Sequence, residues 1–355
     1  MKKKYSEKLF HSEKGFKKIF IKGLVDIYRD DKNLKPETFV LLLCNSFFEK
    51  EIAGLLSKYA ENYYNRLYKL YKEGRLENTK SDDYLVMEKI FNYGFKKIRP
   101  IMFRKEEDLW DIQYNPLREM RPERAAVQKV NKLKQKFEDK GFNYTRSYIE
   151  NEILYEGEHK GNNFTILFNK FPFARYHTLL VPDRMKKLPQ FLTKKYLDLA
   201  YSFMKKMSPK IKGLGMGYNS YGGYASVNHL HFQMFIDEKG MPYNDMRWLH
   251  NGGTEKYPAY VEVFESSSSC MKYLDQLYKK NVPFNLLFSK NKIFCFPRVF
   301  QHSNHERISG GFAWFQFAGG IICLKKEIYE KVTGKLIRQQ LKVLSKTVLN
   351  KTATL

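Results

Sequence analysis

A chain of 355 residues that is 43% hydrophobic and 16% aromatic can bury a large core, so its composition predicts a globular protein of two or three units. The formal net charge of +25 comes mostly from lysines spread along the chain, and no nucleic-acid-binding motif accompanies it. Nucleic-acid binding is therefore the less favoured interpretation. Four widely spaced cysteines without a C-x-x-C pair argue against a zinc ribbon or a disulfide framework, and no segment is typical of a membrane span or a signal peptide. We expect a cytoplasmic protein with no membrane contact, no metal and no cofactor.

The first 95 residues are predicted to form a helical, lysine-rich region. Lys35-Pro36-Glu37 is typical of a helix start, and apolar residues continue at close to helical spacing from Phe39 through Tyr71. The pattern stops near Gly74, and the polar stretch from residue 77 to 83 is predicted to be a loop. A packed amphipathic face is favoured over a membrane or partner helix.

From about residue 98 the pattern changes to shorter, aromatic, alternating segments. Residues 111–124 contain three arginines and two prolines. They are interpreted either as a rigid loop whose Arg118 and Arg121 face phosphates or a base, or equally as a surface loop of ion pairs. Residues 142–155 are predicted to be a strand region that continues into 163–169.

A hairpin-like pair of strands is predicted on either side of a proline-containing loop. Its strands are residues 163–169 and 177–182, so Asn169 and His177 lie at its two sides. His177 alone is more typical of a core histidine with satisfied hydrogen bonds than of a catalytic one. Residues 188–207 are predicted to be a helix that covers one face of the sheet.

The most informative stretch is Ser226-Val-Asn-His-Leu-His-Phe-Gln-Met-Phe235, where polar and apolar residues alternate. A strand here would place His229, His231 and Gln233 on one face. Upstream, residues 213–226 are rich in glycine, and backbone N–H groups can approach an anion closely where side chains are absent. This segment, with Gly222, Gly223 and Ser226, is interpreted as a phosphate-side wall.

Two imidazoles and an amide suit attack on phosphorus. A neutral imidazole is a nucleophile when its other ring nitrogen is held by an acceptor, and the product is a phosphoramidate. A glutamine can donate to a phosphoryl oxygen but cannot protonate a poor leaving group, so the leaving group should be a sugar phosphate or a nucleotide. Two alternatives remain open: histidines satisfied by hydrogen bonds alone, and a metal site completed by His302 and His305.

The second half repeats the order of strand, strand and helix without a second H-x-H. Residues 282–289 and 292–297 are predicted to form a hairpin across Lys290-Asn291. A glycine-bearing strand region follows at 312–324, and a final amphipathic helix at 327–349.

Together these residues resemble the nucleotidyltransferase and phosphorylase branch of the histidine-triad superfamily, in which glutamine replaces the third histidine. Val227-Asn-His-Leu-His-Phe-Gln233 is similar to the signature of the GDP-hexose phosphorylases, which include GDP-L-galactose and GDP-D-glucose enzymes. The similarity covers about residues 98–345. Its other parts are Asn115–Glu123, Phe142–Thr145, Asn281–Asn285 and Phe315–Gly320.

The resemblance implies an α+β fold of tandem histidine-triad-like halves, with antiparallel sheet flanked by helices and a helical N-terminal region. The implied boundaries are 1–95, a catalytic half at 96–240 and a degenerate half with a C-terminal helix at 241–355. It further implies that His231 becomes guanylylated, that His229 orients it and that Gln233 holds the α-phosphate. Asn169, His177 and Ser226 would support nucleotide and phosphate.

The function implied is a phosphorylase that converts a GDP-hexose and inorganic phosphate to GDP and a hexose 1-phosphate. A dinucleoside-polyphosphate phosphorylase and an inactive nucleotide- or RNA-binding module are the alternatives. The family usually has a Glu and a Ser-Gly-His where this chain has Gln316 and Ala318-Gly-Gly320. That departure concerns the acceptor or the sugar rather than the histidine chemistry.

Overall fold

The computed structural model describes residues 7–30, 34–78, 81–121, 130–302, 308–309 and 311–346. The α-helices are α1 (Glu13–Asp30), α2 (Pro36–Ser46), α3 (Lys50–Lys72), α4 (Asp82–Tyr93), α5 (Lys194–Met207), α6 (Ser267–Lys279), α7 (Trp314–Phe317), α8 (Lys326–Lys331) and α9 (Gly334–Leu344). The strands are β1 (Met102–Glu106), β2 (Trp110–Tyr114), β3 (Ile153–His159), β4 (Asn162–Phe168), β5 (Thr178–Pro182), β6 (Leu214–Asn219), β7 (Phe232–Ile236), β8 (Glu262–Phe264), β9 (Phe284–Ser289), β10 (Lys292–Pro297) and β11 (Gly320–Cys323). Short 3-10 helices span Glu7–Phe10, Phe95–Lys97, Pro116–Met120, Ser147–Glu152, Arg184–Lys186, Pro242–Asn244 and Leu249–Asn251.

The N-terminal region is helical, as predicted, but the single helix expected from Phe39 to Tyr71 is two helices, α2 and α3. The chain leaves the helical path after α2 because Phe47 and Phe48 both bury their rings, against Phe95 and Phe103 respectively. The predicted loop at 77–83 was also too long. Ser81 caps α4 by accepting a hydrogen bond from the backbone N–H of Tyr84, so the helix begins at Asp82.

An eight-stranded antiparallel sheet forms the centre of the molecule, in the order β3-β4-β5-β7-β6-β9-β10-β8. Strands from both halves of the sequence belong to this sheet, and they meet where β6 pairs with β9. Helices α5 and α6 cover one face of it. On the other face Gly217 leaves room for the Trp314 ring of α7, which an added Cβ would meet at 2.3 Å. Two large hydrophobic cores therefore lie on opposite sides of the sheet.

A smaller sheet, β1-β2-β11, pairs strands from the first and second halves of the chain. Strand β11 runs parallel to β2, with Gly320 opposite Asp111 and Cys323 opposite Tyr114. The strand region predicted at 312–324 is wrong in its first part, which is the helix α7. The backbone N–H of Ala313 donates to Gln316 Oε1, and this bond starts the helix.

Other predicted boundaries also shift. The strand predicted from Ser226 is wrong in its first six residues, because β7 begins only at Phe232. Most of the glycine-rich segment before Ser220 forms β6, a fully buried strand in the middle of the sheet. Three further predictions gave elements that were too long. The strand region predicted at 142–155 contains the 3-10 helix Ser147–Glu152, and the helix predicted at 188–207 begins at Lys194. The last predicted helix is divided into α8 and α9.

The prediction of an α+β fold is confirmed, because helices surround two mostly antiparallel sheets. The division at residues 95 and 240 stays a prediction. In the described part of the chain, no helix is both long and apolar enough to cross a membrane.

Candidate active site

The two motif histidines lie in an irregular segment before β7, and the loop before α5 holds this segment in place. Gln190 Oε1 accepts from the backbone N–H of His231 at 2.9 Å, and Gln190 Nε2 donates to the His231 carbonyl at 3.3 Å. The same amide donates to the carbonyl of Asn219, at the end of β6, at 2.8 Å. Gln190 is only 1% exposed. The peptide groups on both sides of the His231 Cα are thus fixed by one buried side chain.

His231 has the arrangement that a nucleophilic imidazole needs. Its Nδ1 lies 2.8 Å from the backbone carbonyl oxygen of His229. A carbonyl can only accept, so Nδ1 carries the proton and Nε2 keeps its lone pair. Burial lowers the pKa of His231 to about 4, against the weaker opposing effect of the His229 carbonyl. The ring is therefore neutral at pH 7.

His229 holds His231 through its backbone, whereas its own ring points into a buried aromatic environment. The backbone N–H of Tyr144 donates to His229 Nδ1 at 3.2 Å, and the Tyr144 and Phe137 rings pack within 5.3 Å and 5.2 Å of it. Burial, and secondarily His231, lowers the pKa of His229 to about 3. This imidazole is also neutral at pH 7.

Gln233 lies on β7 and is oriented from the second half of the chain. The indole N–H of Trp314 in α7 donates to Gln233 Oε1 at 2.9 Å. The Gln233 side chain also forms a hydrogen bond with His177. With its oxygen held by Trp314, its amide nitrogen can donate to a ligand. The Trp314 backbone N–H and the Asn285 side chain both donate to Asn219 Oδ1, at 3.0 Å and 2.7 Å.

Asn169 and His177 lie close together at the two ends of the β4–β5 loop, as the hairpin prediction requires. The side-chain nitrogen of Asn169 is 3.2 Å from His177 Nε2, and the backbone N–H of Phe173 donates to His177 Nδ1 at 3.3 Å. His177 is fully buried, and this burial lowers its pKa well below the ordinary value. The ring centroids of Phe173 and His177 are 4.4 Å apart.

A cleft with two compartments, each of about 100 Å³, opens over these residues. Both compartments are lined by Arg118, Arg121, Phe173, Ser226 and Gln233. The first compartment adds Glu152, Asn169, Lys170, Phe171 and His231. The second adds Asn219, Tyr224, Ser309 and Gln316, so the second half of the chain contributes to it.

The two predicted arginines face this cleft. Arg118 lies in the 3-10 helix Pro116–Met120, donates to the backbone carbonyl of Phe171 and lies 4.7 Å from the centroid of the Phe173 ring. Burial, followed by the neighbouring Arg121, lowers the pKa of Arg118 well below its usual range. A bound anion would relieve both effects.

Two of the predicted glycines lie behind the cleft rather than in its lining. A Cβ on Gly222 would meet the Phe300 ring at 2.8 Å, and one on Gly223 would meet the Phe284 carbonyl oxygen at 2.9 Å. The metal-site alternative lacks a described fourth ligand, because His305 lies outside the described residues. His302 is exposed and packs on Tyr224. In the ranges that the structure describes, no group of three metal-binding side chains occurs.

Sequence patterns missed several residues of the site. Gln190 and Lys170 lie in loops without periodicity, and Trp314 has the signature of an ordinary core residue. Asn219 carried a usable signal, because it is a polar residue directly after the buried strand β6. Tyr144 belongs to a segment already noted for its similarity to the GDP-hexose phosphorylases.

Comparison with known proteins agrees with this geometry. The model for the N-terminal domain of GDPGP1-like proteins matches residues 86–235, and the model for their C-terminal domain matches residues 256–351. Together they cover more than half of the chain. It belongs to the GDPGP1-like family. The resemblance to GDP-hexose phosphorylases predicted from the motif is thereby confirmed.

Curated relatives of this GDPGP1-like chain carry matching names. GDP-L-galactose phosphorylase 1 of Arabidopsis thaliana is 29% identical over 213 residues, which is 48% of this chain and 46% of that protein. GDP-D-glucose phosphorylase 1 of Danio rerio is 34% identical over 110 residues, 31% of either chain. The chain thus spans about half the length, or less, of these relatives.

Among solved structures, the yeast Ap4A phosphorylase Apa2 in complex with Ap4A is 19% identical, with a TM-score of 0.48. The match covers 69% of this chain and 88% of that protein.

Proposed function

We propose that this GDPGP1-like chain is a phosphorylase that converts a GDP-hexose and inorganic phosphate to GDP and a hexose 1-phosphate through a nucleotidyl intermediate on His231. The observation that carries the proposal is the hydrogen bond from His231 Nδ1 to the His229 carbonyl, which leaves Nε2 as a neutral nucleophile beside a cationic cleft. GDP-hexoses are favoured because the relatives named above are GDP-hexose phosphorylases.

In the first step His231 Nε2 attacks the α-phosphorus, and the bond from that phosphorus to the bridging oxygen breaks. The hexose 1-phosphate leaves with the bridging oxygen and the electron pair of the broken bond. It needs no proton at neutral pH, in keeping with the absence of a charged acid at Gln233. The Gln233 amide N–H and the two arginines would stabilise the charge that develops on the phosphoryl oxygens.

In the second step an oxygen of inorganic phosphate attacks the same phosphorus. The bond to Nε2 breaks, GDP forms and His231 regains its lone pair. The backbone carbonyl of His229 would stabilise the positive charge that the ring carries while it is bound to phosphorus. The second compartment, which Gln316 lines, is where we place the phosphorylated sugar and then the incoming phosphate.

The four cysteines Cys44, Cys270, Cys295 and Cys323 are buried and free. Four thiols without a disulfide support the cytoplasm as the compartment in which the chain works.

The test is the intact mass of the protein after brief incubation with GDP-, ADP- and UDP-sugars and with a diadenosine polyphosphate, in the absence of phosphate. We expect a GMP adduct on the wild type, none on His231→Ala, and release as GDP when phosphate is added. An adduct formed only with the diadenosine polyphosphate would refute the GDP-hexose as substrate and indicate a dinucleoside-polyphosphate phosphorylase instead. No adduct with any donor, or full turnover by His231→Ala, would refute the mechanism.

A further inference from the structure

The β4–β5 loop (residues 169–177) makes contacts on two sides, one at the cleft and one at the N-terminal helices. Its front lines the first compartment of the cleft through Asn169, Lys170, Phe171 and Phe173. Its back contacts the N-terminal helices, for which sequence analysis offered no role. The family match begins only at residue 86, within α4, so α1 to α3 lie outside it.

Asn45, at the end of α2, holds the backbone at the start of this loop. It is 2% exposed, and its side-chain nitrogen donates both to the Leu41 carbonyl of its own helix, at 2.9 Å, and to the Asn169 carbonyl, at 3.0 Å. The first bond fixes the rotamer of Asn45 and the second fixes the loop. Asn169 Oδ1 in turn accepts from the backbone N–H of Phe171 at 3.0 Å.

Asp83, in the first turn of α4, holds the next residue of the loop. The Lys170 ammonium lies 2.8 Å from a carboxylate oxygen of Asp83 and 2.8 Å from one of Glu152, and all three side chains are 10% exposed or less. Burial opposes the charge on Lys170, yet the two carboxylates raise its pKa above the ordinary value. Removing one carboxylate from so buried a cluster leaves charge that the site cannot compensate well.

Helix α1 supports the two ends of the loop. The Phe20 ring packs edge-on against Phe168 at 5.0 Å and against Tyr176 at 5.4 Å. Glu49, the residue before α3, pairs with Arg175 at 3.0 Å. The loop is therefore held from residue 168 to residue 176, and of the groups that hold it only Glu152 also lines the cleft.

We infer that the N-terminal helices are part of the catalytic apparatus, with Asn45 and Asp83 as positioning residues that set the substrate-binding loop at Asn169 and Lys170. This inference rests on the proposed function, because it takes the front of the loop to be a surface that binds the nucleotide-sugar. Neither residue contacts the cleft, so each acts through the loop.

The test compares Asn45→Ala and Asp83→Asn with control variants of the same residue types on the neighbouring helices α3 and α1. Asn62→Ala removes an exposed asparagine of α3, and Asp26→Asn removes the partner of Lys22 on α1. We expect KM for the nucleotide-sugar to rise roughly tenfold in the two loop variants while kcat changes less than about threefold. A mere loss of folded enzyme would instead lower the apparent kcat at an unchanged KM, and that result would overturn the inference.

A second readout needs no activity. In hydrogen exchange without ligand, amides of residues 169–177 should exchange at least about fivefold faster in Asn45→Ala and Asp83→Asn than in the wild type, with no change in the control variants. Unchanged exchange in the loop would refute the inference even if KM rose. A wild type that forms no adduct would refute the proposed function, and the exchange measurement would still decide whether α2 and α4 hold the loop.

Discussion

His231, the proposed nucleophile, is oriented by backbone groups more than by charged side chains. In the described part of the chain no carboxylate is bonded to His231, whose Nδ1 is held by a peptide carbonyl. A carbonyl fixes the tautomer without adding negative charge, which would repel a substrate that is itself an anion. The site therefore combines a neutral imidazole, the proposed nucleophile, with a cleft lined by two arginines.

Replacing Gln190 should disturb the position of His231 without weakening nucleotide binding. Gln190→Leu keeps the size of the side chain but removes the contacts to both peptide groups of His231. We expect the rate of adduct formation to fall by roughly 100-fold, because small displacements of a reacting atom are costly. Affinity for GMP should change little, since Gln190 does not line the cleft.

Single-turnover intact-mass kinetics and calorimetry would check this expectation. Gln340→Leu is the control, because Gln340 is another buried glutamine, in α9. Equal loss of adduct rate in both variants would indicate a general effect of a buried glutamine and contradict a role for Gln190 in positioning His231.

At the scale of elements, α7 links the second half of the chain to the chemistry of the first. Trp314→Phe retains a ring to stack on Phe235, which lies 4.9 Å from Trp314, but removes the hydrogen bond to Gln233. Gln233 then loses one of the groups that orient it, while its hydrogen bond with His177 remains, so we expect a fall of about tenfold in kcat with little change in KM for the donor.

The matched control is Trp248→Phe, which removes a similarly buried indole hydrogen bond, to the Pro242 carbonyl at 2.7 Å. Steady-state kinetics on both variants would distinguish loss of the Gln233 hydrogen bond from loss of core packing. If Trp248→Phe lowers kcat as much as Trp314→Phe does, loss of core packing is the cause and the Gln233 contact is not.

Sequence patterns predicted helices and strands correctly where the buried residues recur at a regular helical or strand spacing. They failed where a hydrogen bond from a distant side chain determines the backbone conformation instead. The β9–β10 hairpin and the helical N-terminus follow from alternation and helical spacing. The strand expected at His229 does not form, because Gln190 bonds to both peptide groups of His231 and the Leu188 carbonyl accepts from the backbone N–H of Leu230. Local alternation carries no information about such a distant partner.

The same limit applies to the candidate site. His231, His229 and Gln233 were predicted from residue type and spacing, whereas Asn169 and His177 were predicted from the resemblance to the histidine-triad superfamily, and all five roles stay predictions. Gln190, Asn45 and Asp83 were missed because their roles depend on contacts across 41, 124 and 87 positions of the chain. No window along the sequence joins those positions.

For the whole molecule, stability should depend on pH, chiefly through three of the buried histidines of the described residues. Burial lowers the pKa of His229 to about 3, of His231 to about 4 and of His177 well below its usual value. Unfolded histidines titrate near 6.5, so below that pH the unfolded state binds protons that the folded state does not. The free energy of unfolding should fall as the pH decreases from about 6.5 towards 4, by at most about 1.4 kcal/mol per pH unit for each histidine.

Urea denaturation at about pH 7.5, 6.5 and 5.5 would measure this dependence. His177→Asn should reduce the slope of the unfolding free energy against pH by the contribution of one histidine, because asparagine takes up no proton in either the folded or the unfolded state. Identical slopes for the wild type and His177→Asn would contradict the proposed contribution of His177.

The pairing of β6 with β9 has a consequence for synthesis on the ribosome. Strand β6 ends at Asn219 and its partner β9 ends at Ser289, so the nascent chain contains His231 long before β6 can pair with β9. At about 5 to 20 residues per second the edge of β6 stays unpaired for several seconds. An open edge is a template for wrong pairing, so this interval is when the growing polypeptide most needs a chaperone.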